Sequence, residues 1–287
     1  MKIFITGARG QLGRDLVDWF DKDHEVIGAG RAELDVTNLS EVQQVIRAVR
    51  PEAVIHAAAY TSVDRAESEP DEAYRVNVFG SRNMAWAARE VGAKLCYIST
   101  DYVFDGTSSK PYREYDQTNP IGIYGKSKRA GEEVSQLLVP HTFIVRTSWV
   151  YGRHGNNFVK TMLKLAKEKG YMKVVSDQVG SPTYTIDLCR FVEKLLETEK
   201  YGIYHASNSG HCSWFEFAKA IMEEAGSNAV VESCTTEQFP RPAPRPTFSV
   251  MDHMAIRLNG FDDLPTWRDA LKRFLLELER TSRTQLR

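Results

Sequence analysis

The sequence predicts an α/β protein with a doubly wound parallel sheet, and three observations support that fold class. Short apolar runs recur along the first 150 residues, and turn-forming residues follow most of them. Such runs are typical of strands that are buried on both faces of a sheet. Between the runs, apolar residues recur at intervals of three and four, which marks one face of a helix. Because strands alternate with helices, the sheet should be parallel, with helices on both of its faces.

The predicted elements follow in order from the amino terminus. Residues 3–5 form a first apolar strand, and apolar residues at positions 12, 16, 19 and 20 then predict a helix. The further strands are predicted at 25–29, 53–56, 94–99, 142–147, 173–175 and 203–206. The further helices are predicted at 39–49, 71–91, 124–138, 158–169 and 186–197.

The alternation of strand and helix loosens after about residue 150, which indicates a smaller second domain. We predict one domain at 1–150 and another at 151–287, partly interleaved because some later segments return to the sheet. The proline-rich segment 239–246 is an ordered loop beside a site or a plain linker, and its composition slightly favours the linker. Apolar residues at 271, 274, 275 and 278 predict a closing helix, and the polar tail at 281–287 should be frayed.

The composition argues against several kinds of partner. The formal net charge is −1, so no general field attracts nucleic acid or an anionic membrane. The four cysteines are widely spaced and form no Cys-x-x-Cys pair, which favours isolated thiols in a reducing compartment. No apolar run approaches the roughly 18–20 residues of a membrane span, and none resembles a signal peptide. We therefore expect a soluble, cytoplasmic protein that binds neither nucleic acid nor membrane.

Three glycines follow the first predicted strand and open the first helix. Their spacing, Gly-x-x-Gly-x-x-Gly, is one residue longer at the first interval than the common dinucleotide fingerprint. Glycine suits this place because the chain turns tightly and its backbone must approach a pyrophosphate, which the amides at the helix amino terminus then bind. The segment predicts a dinucleotide-binding Rossmann domain at 1–150, with a merely tight turn as the rival interpretation. The predicted contacts are Gly7, Arg9, Gly10, Gln11, Leu12 and Gly13.

The second strand indicates which dinucleotide binds. A carboxylate at its end would hold a ribose 2′-hydroxyl and repel a 2′-phosphate. This strand runs to Arg31 without a carboxylate, and Arg31, helped by Arg9, can neutralise and bond a 2′-phosphate. The rival interpretation is an exposed surface arginine. NADPH is therefore the predicted cofactor, and NADH is the second choice.

Two short segments after the second and third strands are further candidates for cofactor contacts. Asp35 could accept a hydrogen bond from the adenine amino group while Val36 covers the ring. The alternative is a capping region for the next helix, where Thr37 or Asn38 would serve as well. Small side chains after the third strand let a flat ligand lie against the backbone, although they are also ordinary packing. These residues are Ala57, Ala58 and Ala59.

Tyr124 and Lys128 lie four residues apart on a predicted helix, and hence on one face of it. A free phenol, with a pKa near ~10, donates its proton poorly at neutral pH. A nearby ammonium would lower the pKa of Tyr124 and make it a general acid, while Lys128 also holds the nicotinamide ribose. Thr100, or Ser99, ends a buried strand and would donate to the carbonyl oxygen being reduced. The rival interpretation of these hydroxyls is turn chemistry at a strand end.

Together these features resemble the extended short-chain dehydrogenase/reductases, and more narrowly the dTDP-4-dehydrorhamnose reductases. The resemblance runs in order through both halves and covers most of the chain. The matching stretches are GARGQLG at 7–13, HAAAYTSVDRAE at 56–67, STDYVFDG at 99–106, YGKSKRAGE at 124–132, RTSWVYG at 146–152 and DQVGSPT at 177–183.

The resemblance implies that NADPH reduces the C4 ketone of dTDP-4-dehydro-L-rhamnose to give dTDP-L-rhamnose for polysaccharide synthesis. It implies Tyr124 as the proton donor, Lys128 as its tuner and ribose anchor, and Thr100 as the second donor to the oxygen. For Trp149, core packing is an equally supported alternative to a sugar contact. The region 151–287 would bind much of the substrate. The implied substrate contacts are Val63, Thr100, Asp101 and Trp149.

The resemblance leaves several points open. Some such reductases bind magnesium between subunits, and Asp15 could be a shorter counterpart of one ligand, but no full set matches and no metal is predicted. Asn77 lies near the cofactor or on the helix surface. Arg241 and Arg245 could meet the nucleotide diphosphate or lie on an exposed linker. A homodimer is also left open.

Two other functions use the same features. A nucleotide-sugar epimerase has the same tyrosine and lysine but keeps its NAD through repeated turnovers. Arg31 and the Ser-Thr-Asp segment at 99–101 argue against it. A non-catalytic NADP-binding regulatory subunit would share the fold. The presence of Tyr124, Lys128 and Thr100 argues for catalysis instead.

Overall fold

The computed structural model describes the backbone of residues 1–285 and the side chains of residues 1–281. Its strands are, in chain order, β1 (Lys2–Thr6), β2 (Glu25–Ala29), β3 (Ala53–His56), β4 (Lys94–Thr100), β5 (Thr142–Thr147), β6 (Val150–Tyr151), β7 (Tyr171–Val175), β8 (Val179–Gly180), β9 (Thr183–Tyr184), β10 (Gly202–His205), β11 (Cys212–Ser213) and β12 (Val230–Cys234). Its α-helices are α1 (Gln11–Phe20), α2 (Leu39–Val49), α3 (Val63–Ser68), α4 (Pro70–Tyr74), α5 (Ser81–Val91), α6 (Ile123–Leu138), α7 (Phe158–Lys169), α8 (Thr185–Leu196), α9 (Trp214–Glu224), α10 (Met254–Leu258) and α11 (Trp267–Gln285).

The main sheet has six strands in the order β10-β5-β4-β3-β1-β2. All of its neighbouring strands pair in parallel. The chain adds β2 on one side of β1 and β3 on the other, so the order of strand addition reverses there. In such sheets a ligand crevice opens at the carboxyl ends of the strands, at the point of reversal. The predicted doubly wound α/β class is confirmed.

Two apolar layers cover the two faces of this sheet. On one face, Leu16 of α1 and Leu188 of α8 are fully buried against the strands. On the other face, Val42 of α2 and Met84 of α5 are fully buried. Since α8 comes from the second half of the chain, the first core is not made from residues 1–150 alone.

A second apolar core lies under α7, α9 and α11. The ring of Tyr151 packs edge-on against Phe274 at 5.2 Å between centroids and lies 5.7 Å from the ring of Phe217. All three rings are fully buried. The strand predicted at 173–175 belongs to this region, as the end of β7, which pairs with β12 in a separate two-stranded sheet. The division into 1–150 and 151–287 stays a prediction.

The helix predicted at 71–91 is interrupted. A π-helical turn at Arg75–Gly80 joins α4 to α5. Within that turn Asn77 is buried, accepts a hydrogen bond from the amide of Tyr60 at 2.8 Å and donates to the hydroxyl of Ser127 at 2.9 Å. The helix-surface alternative for Asn77 is therefore wrong. Extra residues in a π turn often re-aim a side chain at a functional site, and here they turn Asn77 inward.

The proline-rich segment at 239–246 is an ordered loop, so the linker interpretation is wrong. Pro246 lies so close to Gly106 that a Cβ at Gly106, whose φ is +84°, would lie 2.7 Å from the Pro246 Cα. Just beyond the prolines, the hydroxyl of Ser249 donates to the Asp101 carboxylate at 2.6 Å. The segment thus packs beside the carboxyl end of β4.

The closing helix α11 is longer than the sequence pattern predicts. Residues 281–285 continue it, where a frayed tail was expected. Leu286 and Arg287, the end of that predicted tail, lie outside the described residues. Among the helices of the described chain, none combines the length and apolar character needed to cross a bilayer.

Candidate active site

A cavity of about 780 Å³ opens at the carboxyl ends of β1, β3, β4 and β5. Its walls come from the first βα turn, the ends of these strands and the start of α6. The residues that the sequence analysis predicts to be catalytic or binding line this one cavity, although their roles there remain predictions. These residues are Gly7, Arg9, Gly10, Gln11, Leu12, Gly13, Arg31, Asp35, Val36, Ala57, Ala58, Ala59, Val63, Thr100, Asp101, Tyr124, Lys128 and Trp149. Asn77, Arg241 and Arg245, whose contacts were left open, are not among the lining residues of the cavity.

The glycine turn leaves no room for side chains. A Cβ at Gly13 would lie 2.0 Å from the carbonyl oxygen of Gly7. Gly7 itself has φ +67°, and its Cβ would lie 2.8 Å from the amide nitrogen of Ala58. Backbone amides and the amino terminus of α1 therefore face the cavity at close range, and they form a cradle of the kind that binds a pyrophosphate. The residues of this turn fit a dinucleotide cofactor.

The adenosine end of the cavity, as the sequence assigns it, carries two arginines that are already paired with carboxylates. Arg9 makes two hydrogen bonds to Glu33, at 3.1 and 2.9 Å, and Arg31 lies 3.9 Å from Glu72. The segment at the end of β2 that runs to Arg31 contains no carboxylate, as the sequence analysis states, but a carboxylate from further along the chain lies beside it. Glu33 reaches back to that strand end, where it accepts a hydrogen bond from the amide of Gly30 at 2.9 Å.

Asp35 lines the cavity but also builds its own turn. One of its carboxylate oxygens accepts from the amide of Thr37 at 2.9 Å and from the Thr37 hydroxyl at 2.8 Å. These hydrogen bonds hold the pKa of Asp35 below its usual value. The capping role suggested for this region falls to Asn38, whose side chain accepts from the amide of Glu41. A contact between Asp35 and adenine stays a prediction.

Tyr124 opens α6 and lies at the carboxyl end of β4. Burial raises the pKa of Tyr124 to about 12, and contact with the side chain of Thr100 offsets part of that rise. The ring of Tyr102 packs edge-on against it, at 5.6 Å between centroids. A phenol with this pKa is fully protonated near neutral pH, which suits a proton donor.

Lys128 is buried one helical turn beyond Tyr124. Its ammonium donates to the carbonyl of Ile98 at 2.7 Å and lies 4.0 Å from the centroid of the Tyr97 ring. Burial lowers the pKa of Lys128 to about 7, against the opposing charge of Glu132. The pKa of Tyr124 is raised and not lowered as predicted: burial is the largest cause of the rise, and Thr100, not Lys128, is the group that opposes it.

Asp101 is buried beside Thr100 and links the end of β4 to the loop after the prolines. The Thr100 hydroxyl donates to one carboxylate oxygen at 3.1 Å, and Ser249 donates to the other. Burial raises the pKa of Asp101 to about 6, although these hydrogen bonds favour the charged form. The carboxyl group is therefore half protonated at about pH 6 and mainly charged at neutral pH, and it orients the hydroxyl of Thr100.

Because the carboxyl group of Asp101 is buried, we predict that the stability of the fold depends on pH. We expect Asp101→Asn to raise the free energy of unfolding by roughly 2–3 kcal/mol at about pH 8. The pKa of Asp101 is about 6 in the fold against an ordinary 3.8. Its contribution to stability is therefore complete below the ordinary pKa and is lost as pH rises through about 6. Urea unfolding of both proteins between about pH 4 and pH 8 measures this difference. A gap that stayed constant with pH would contradict the assignment.

Trp149 lines the cavity and also packs against the second core. Its ring stacks on Trp214 at 3.5 Å between centroids and 7° between planes. Its backbone has φ +46°, which is unfavourable for a bulky residue and persists only where the surroundings hold it. The core-packing alternative for Trp149 is thus confirmed, and its contact with the sugar stays a prediction. Trp214, which holds it, was not singled out, because its position 65 residues away in sequence is no local signal.

The cavity is also lined by residues that the sequence analysis did not predict as contacts. Thr147 ends β5 and Ser148 follows it, at the same edge of the sheet where Thr100 ends β4. That equivalence is the signal that could have identified them, because the carboxyl ends of parallel strands share one edge. Other such wall residues are Thr37, Tyr60, Thr61, Glu72, Arg75, Tyr102 and Asn156.

Asp15, Asp18 and His154 bring possible ligand atoms within 4.8 Å of one another. Asp15 is buried, not solvated as helix-face carboxylates usually are, and it accepts from the hydroxyl of Thr185 at 2.6 Å. Arg153 pairs with Asp18 at 2.6 Å, and His154 lies 3.6 Å from Asp15. Magnesium requires a near-octahedral shell of oxygens and waters. These carboxylates already face a hydroxyl, a guanidinium and an imidazole, so the group does not fit magnesium.

The two arginines of the proline-rich segment differ. Arg245 pairs with Asp64 at 3.0 Å, next to the cavity residue Val63, and donates to the carbonyl of Ala243. Arg241 lies over the ring of Phe239, 4.7 Å from its centroid. A contact of either arginine with a nucleotide diphosphate stays a prediction.

The fold and the cavity define a Rossmann-type oxidoreductase of the short-chain dehydrogenase/reductase class. Its parallel sheet, its glycine turn and the tyrosine one helical turn before a lysine share one cavity. More narrowly, the chain belongs to the RmlD substrate binding domain family, whose model matches residues 1–280.

Curated relatives and a solved structure agree with this assignment. The spore coat polysaccharide biosynthesis protein SpsK of Bacillus subtilis is 47% identical over 277 residues, covering 96% of this chain and 97% of that protein. A dTDP-4-dehydrorhamnose reductase of Aggregatibacter actinomycetemcomitans is 44% identical over 286 residues, covering 94% and 97%. The crystal structure of dTDP-4-dehydrorhamnose reductase from Bacillus anthracis, in complex with NADP, has a TM-score of 0.95 and 50% identity, covering 96% and 99%. The resemblance to dTDP-4-dehydrorhamnose reductases is confirmed.

Proposed function

We propose that this protein uses NADPH to reduce the C4 ketone of dTDP-4-dehydro-L-rhamnose, which gives dTDP-L-rhamnose. One observation carries the proposal: Tyr124, Lys128 and Thr100 line the same cavity as the glycine turn. The membership of the chain in its family narrows the substrate to a dTDP-linked 4-keto sugar. NADH is the alternative cofactor.

The chain's own residues would manage charge and protons at the sugar oxygen. When bound, the reduced nicotinamide supplies the hydride for C4. As negative charge grows on the oxygen, hydrogen bonds from Tyr124 and Thr100 would stabilise it most in the transition state. Tyr124 then gives its proton to that oxygen, and the product is a hydroxyl.

Lys128 and Asp101 would prepare this pair of hydroxyls. The buried ammonium of Lys128 lies on the helix face of Tyr124, where it would hold the hydroxyls of the nicotinamide ribose and stabilise the phenolate left after proton transfer. Asp101 orients Thr100 through the hydrogen bond between them. Val63, Asp101 and Trp149 are the proposed sugar contacts, and the flat ring of Trp149 suits one face of a sugar.

Two properties outside the active site are the cellular compartment and the oligomeric state. All four cysteines are free and buried, in keeping with a reducing compartment, and we propose the cytoplasm. A homodimer stays a prediction.

Loss of NADPH absorbance with a panel of dTDP-, UDP- and GDP-linked 4-keto sugars tests the function. We expect turnover with dTDP-4-dehydro-L-rhamnose and a lower kcat/KM with the other nucleotides. Tightly bound NAD that copurifies, with sugar conversion but no net NADPH loss, would favour an epimerase. Binding of NADPH without turnover on any sugar would favour a regulatory subunit.

A further inference from the structure

A glutamate is paired with one of the two arginines that are predicted to bind the 2′-phosphate of NADPH. Glu33 accepts two hydrogen bonds from the guanidinium of Arg9, from Nε at 3.1 Å and from Nη2 at 2.9 Å. Its other oxygen accepts from the amide of Gly30, just past the end of β2. Arg9 and Gly30 both line the cavity. A strand-end carboxylate is thus supplied by a residue three positions further along the chain, folded back onto the strand.

The second arginine at this end of the cavity, Arg31, is less tightly paired with a carboxylate. Arg31 is 84% exposed and lies 3.9 Å from Glu72, beyond hydrogen-bonding distance. Glu72 is instead held by Arg75, which donates to both of its oxygens at 2.7 and 2.8 Å. Arg31 therefore remains available to an anion, whereas the fork of Arg9 is occupied by Glu33.

This arrangement opposes a 2′-phosphate and favours a 2′-hydroxyl. A phosphate that approached Arg9 would meet a guanidinium whose Nε and Nη2 already donate to a carboxylate, and it would also be repelled by that carboxylate. A ribose hydroxyl could instead donate to Glu33. Arg31 acts in the other direction, because it attracts a phosphate. Because Glu33 and Arg31 act in opposite directions, the protein would bind NADPH and NADH with only a modest difference in affinity.

We propose that Glu33 is a specificity residue that limits the preference for NADPH and admits NADH, an inference that rests on the proposed function for its cofactor class. Glu33→Gln removes the charge and keeps the shape and the acceptor for Gly30. We expect the dissociation constant of NADP⁺ to fall by about 5- to 10-fold, because a surface repulsion of this kind is worth about one kcal/mol. The dissociation constant of NAD⁺ should stay the same or rise, because the ribose hydroxyl loses a charged acceptor.

Isothermal titration calorimetry of the full chain with NADP⁺ and NAD⁺ measures both constants without any sugar. Glu90→Gln is the matched control, since Glu90 also accepts from the Nε and Nη2 of an arginine, Arg47, at 3.1 and 2.9 Å, although at its two oxygens and between α2 and α5. The control should leave the ratio of the two constants unchanged. The effect of Glu33→Gln should also shrink at high salt, since exposed charges are screened.

The outcomes separate the inference from the function it rests on. If Glu33→Gln changes both constants by the same factor, or weakens NADP⁺, the role of Glu33 is overturned whatever the enzyme reduces. If the wild-type protein binds both dinucleotides yet reduces no 4-keto sugar, the proposed function fails while a shifted ratio still supports Glu33. A shift in the ratio with Glu90→Gln as large as that with Glu33→Gln would also overturn the proposal.

Discussion

Replacing Tyr124 by phenylalanine is expected to lower kcat for sugar reduction by about 10²- to 10⁴-fold, the usual contribution of general acid catalysis. The substitution removes the hydroxyl that contacts Thr100 and leaves the ring in its packing against Tyr102. The dissociation constant of NADPH should change little, because the glycine turn and the adenosine end are untouched. Steady-state kinetics and calorimetry measure the two quantities on one preparation.

A second tyrosine supplies the control for this result. Tyr171 is exposed and its hydroxyl bonds Glu232, on the small sheet formed by β7 and β12. Tyr171→Phe should keep the wild-type kcat. If Tyr124→Phe retained more than about a tenth of the wild-type kcat, general acid catalysis by this phenol would be excluded. A matching loss of NADPH affinity would assign Tyr124 to binding instead.

Replacing Glu132 by glutamine is expected to lower the free energy of unfolding by about 3–5 kcal/mol, the cost of breaking a buried ion pair. Glu132 and Arg146 are fully buried, and Arg146 donates to both carboxylate oxygens at 2.8 Å. Ser99 donates to the same carboxylate. The substitution leaves the guanidinium buried without a countercharge, at the point where α6 is attached to β4 and β5. Urea unfolding of wild type and variant measures the loss.

The next residue along the helix is a matched control. Glu133 is 61% exposed and pairs with Arg129 at 3.2 Å. Glu133→Gln should change the free energy of unfolding by less than about 1 kcal/mol, since exposed ion pairs contribute little. The double variant Glu132→Leu, Arg146→Met should recover part of the stability, because it removes both buried charges together. Equal losses for Glu132→Gln and Glu133→Gln would refute the account of the buried pair.

Local sequence patterns were enough to predict most strands of the sheet and the principal site residues. Strands β2, β3 and β5 lie where short apolar runs predict them, and helices α2 and α7 lie where helical periodicity predicts them, because both patterns reflect burial over a few residues. Tyr124 and Lys128 share a helix face for the same reason. Thr100 follows from the rule that strands of a parallel sheet end at one edge.

The pKa values of these residues and the partners that hold them in place depend on the tertiary structure. Glu33 has no strand-end signal, because it reaches the end of β2 by folding back onto Gly30. Asp101 is held by Ser249, 148 residues away, and that contact depends on how the proline-rich loop returns to β4. The pKa of Tyr124 rises instead of falling because of burial, which is a property of the whole fold. Sequence periodicity carries no information about desolvation or about partners joined through the topology.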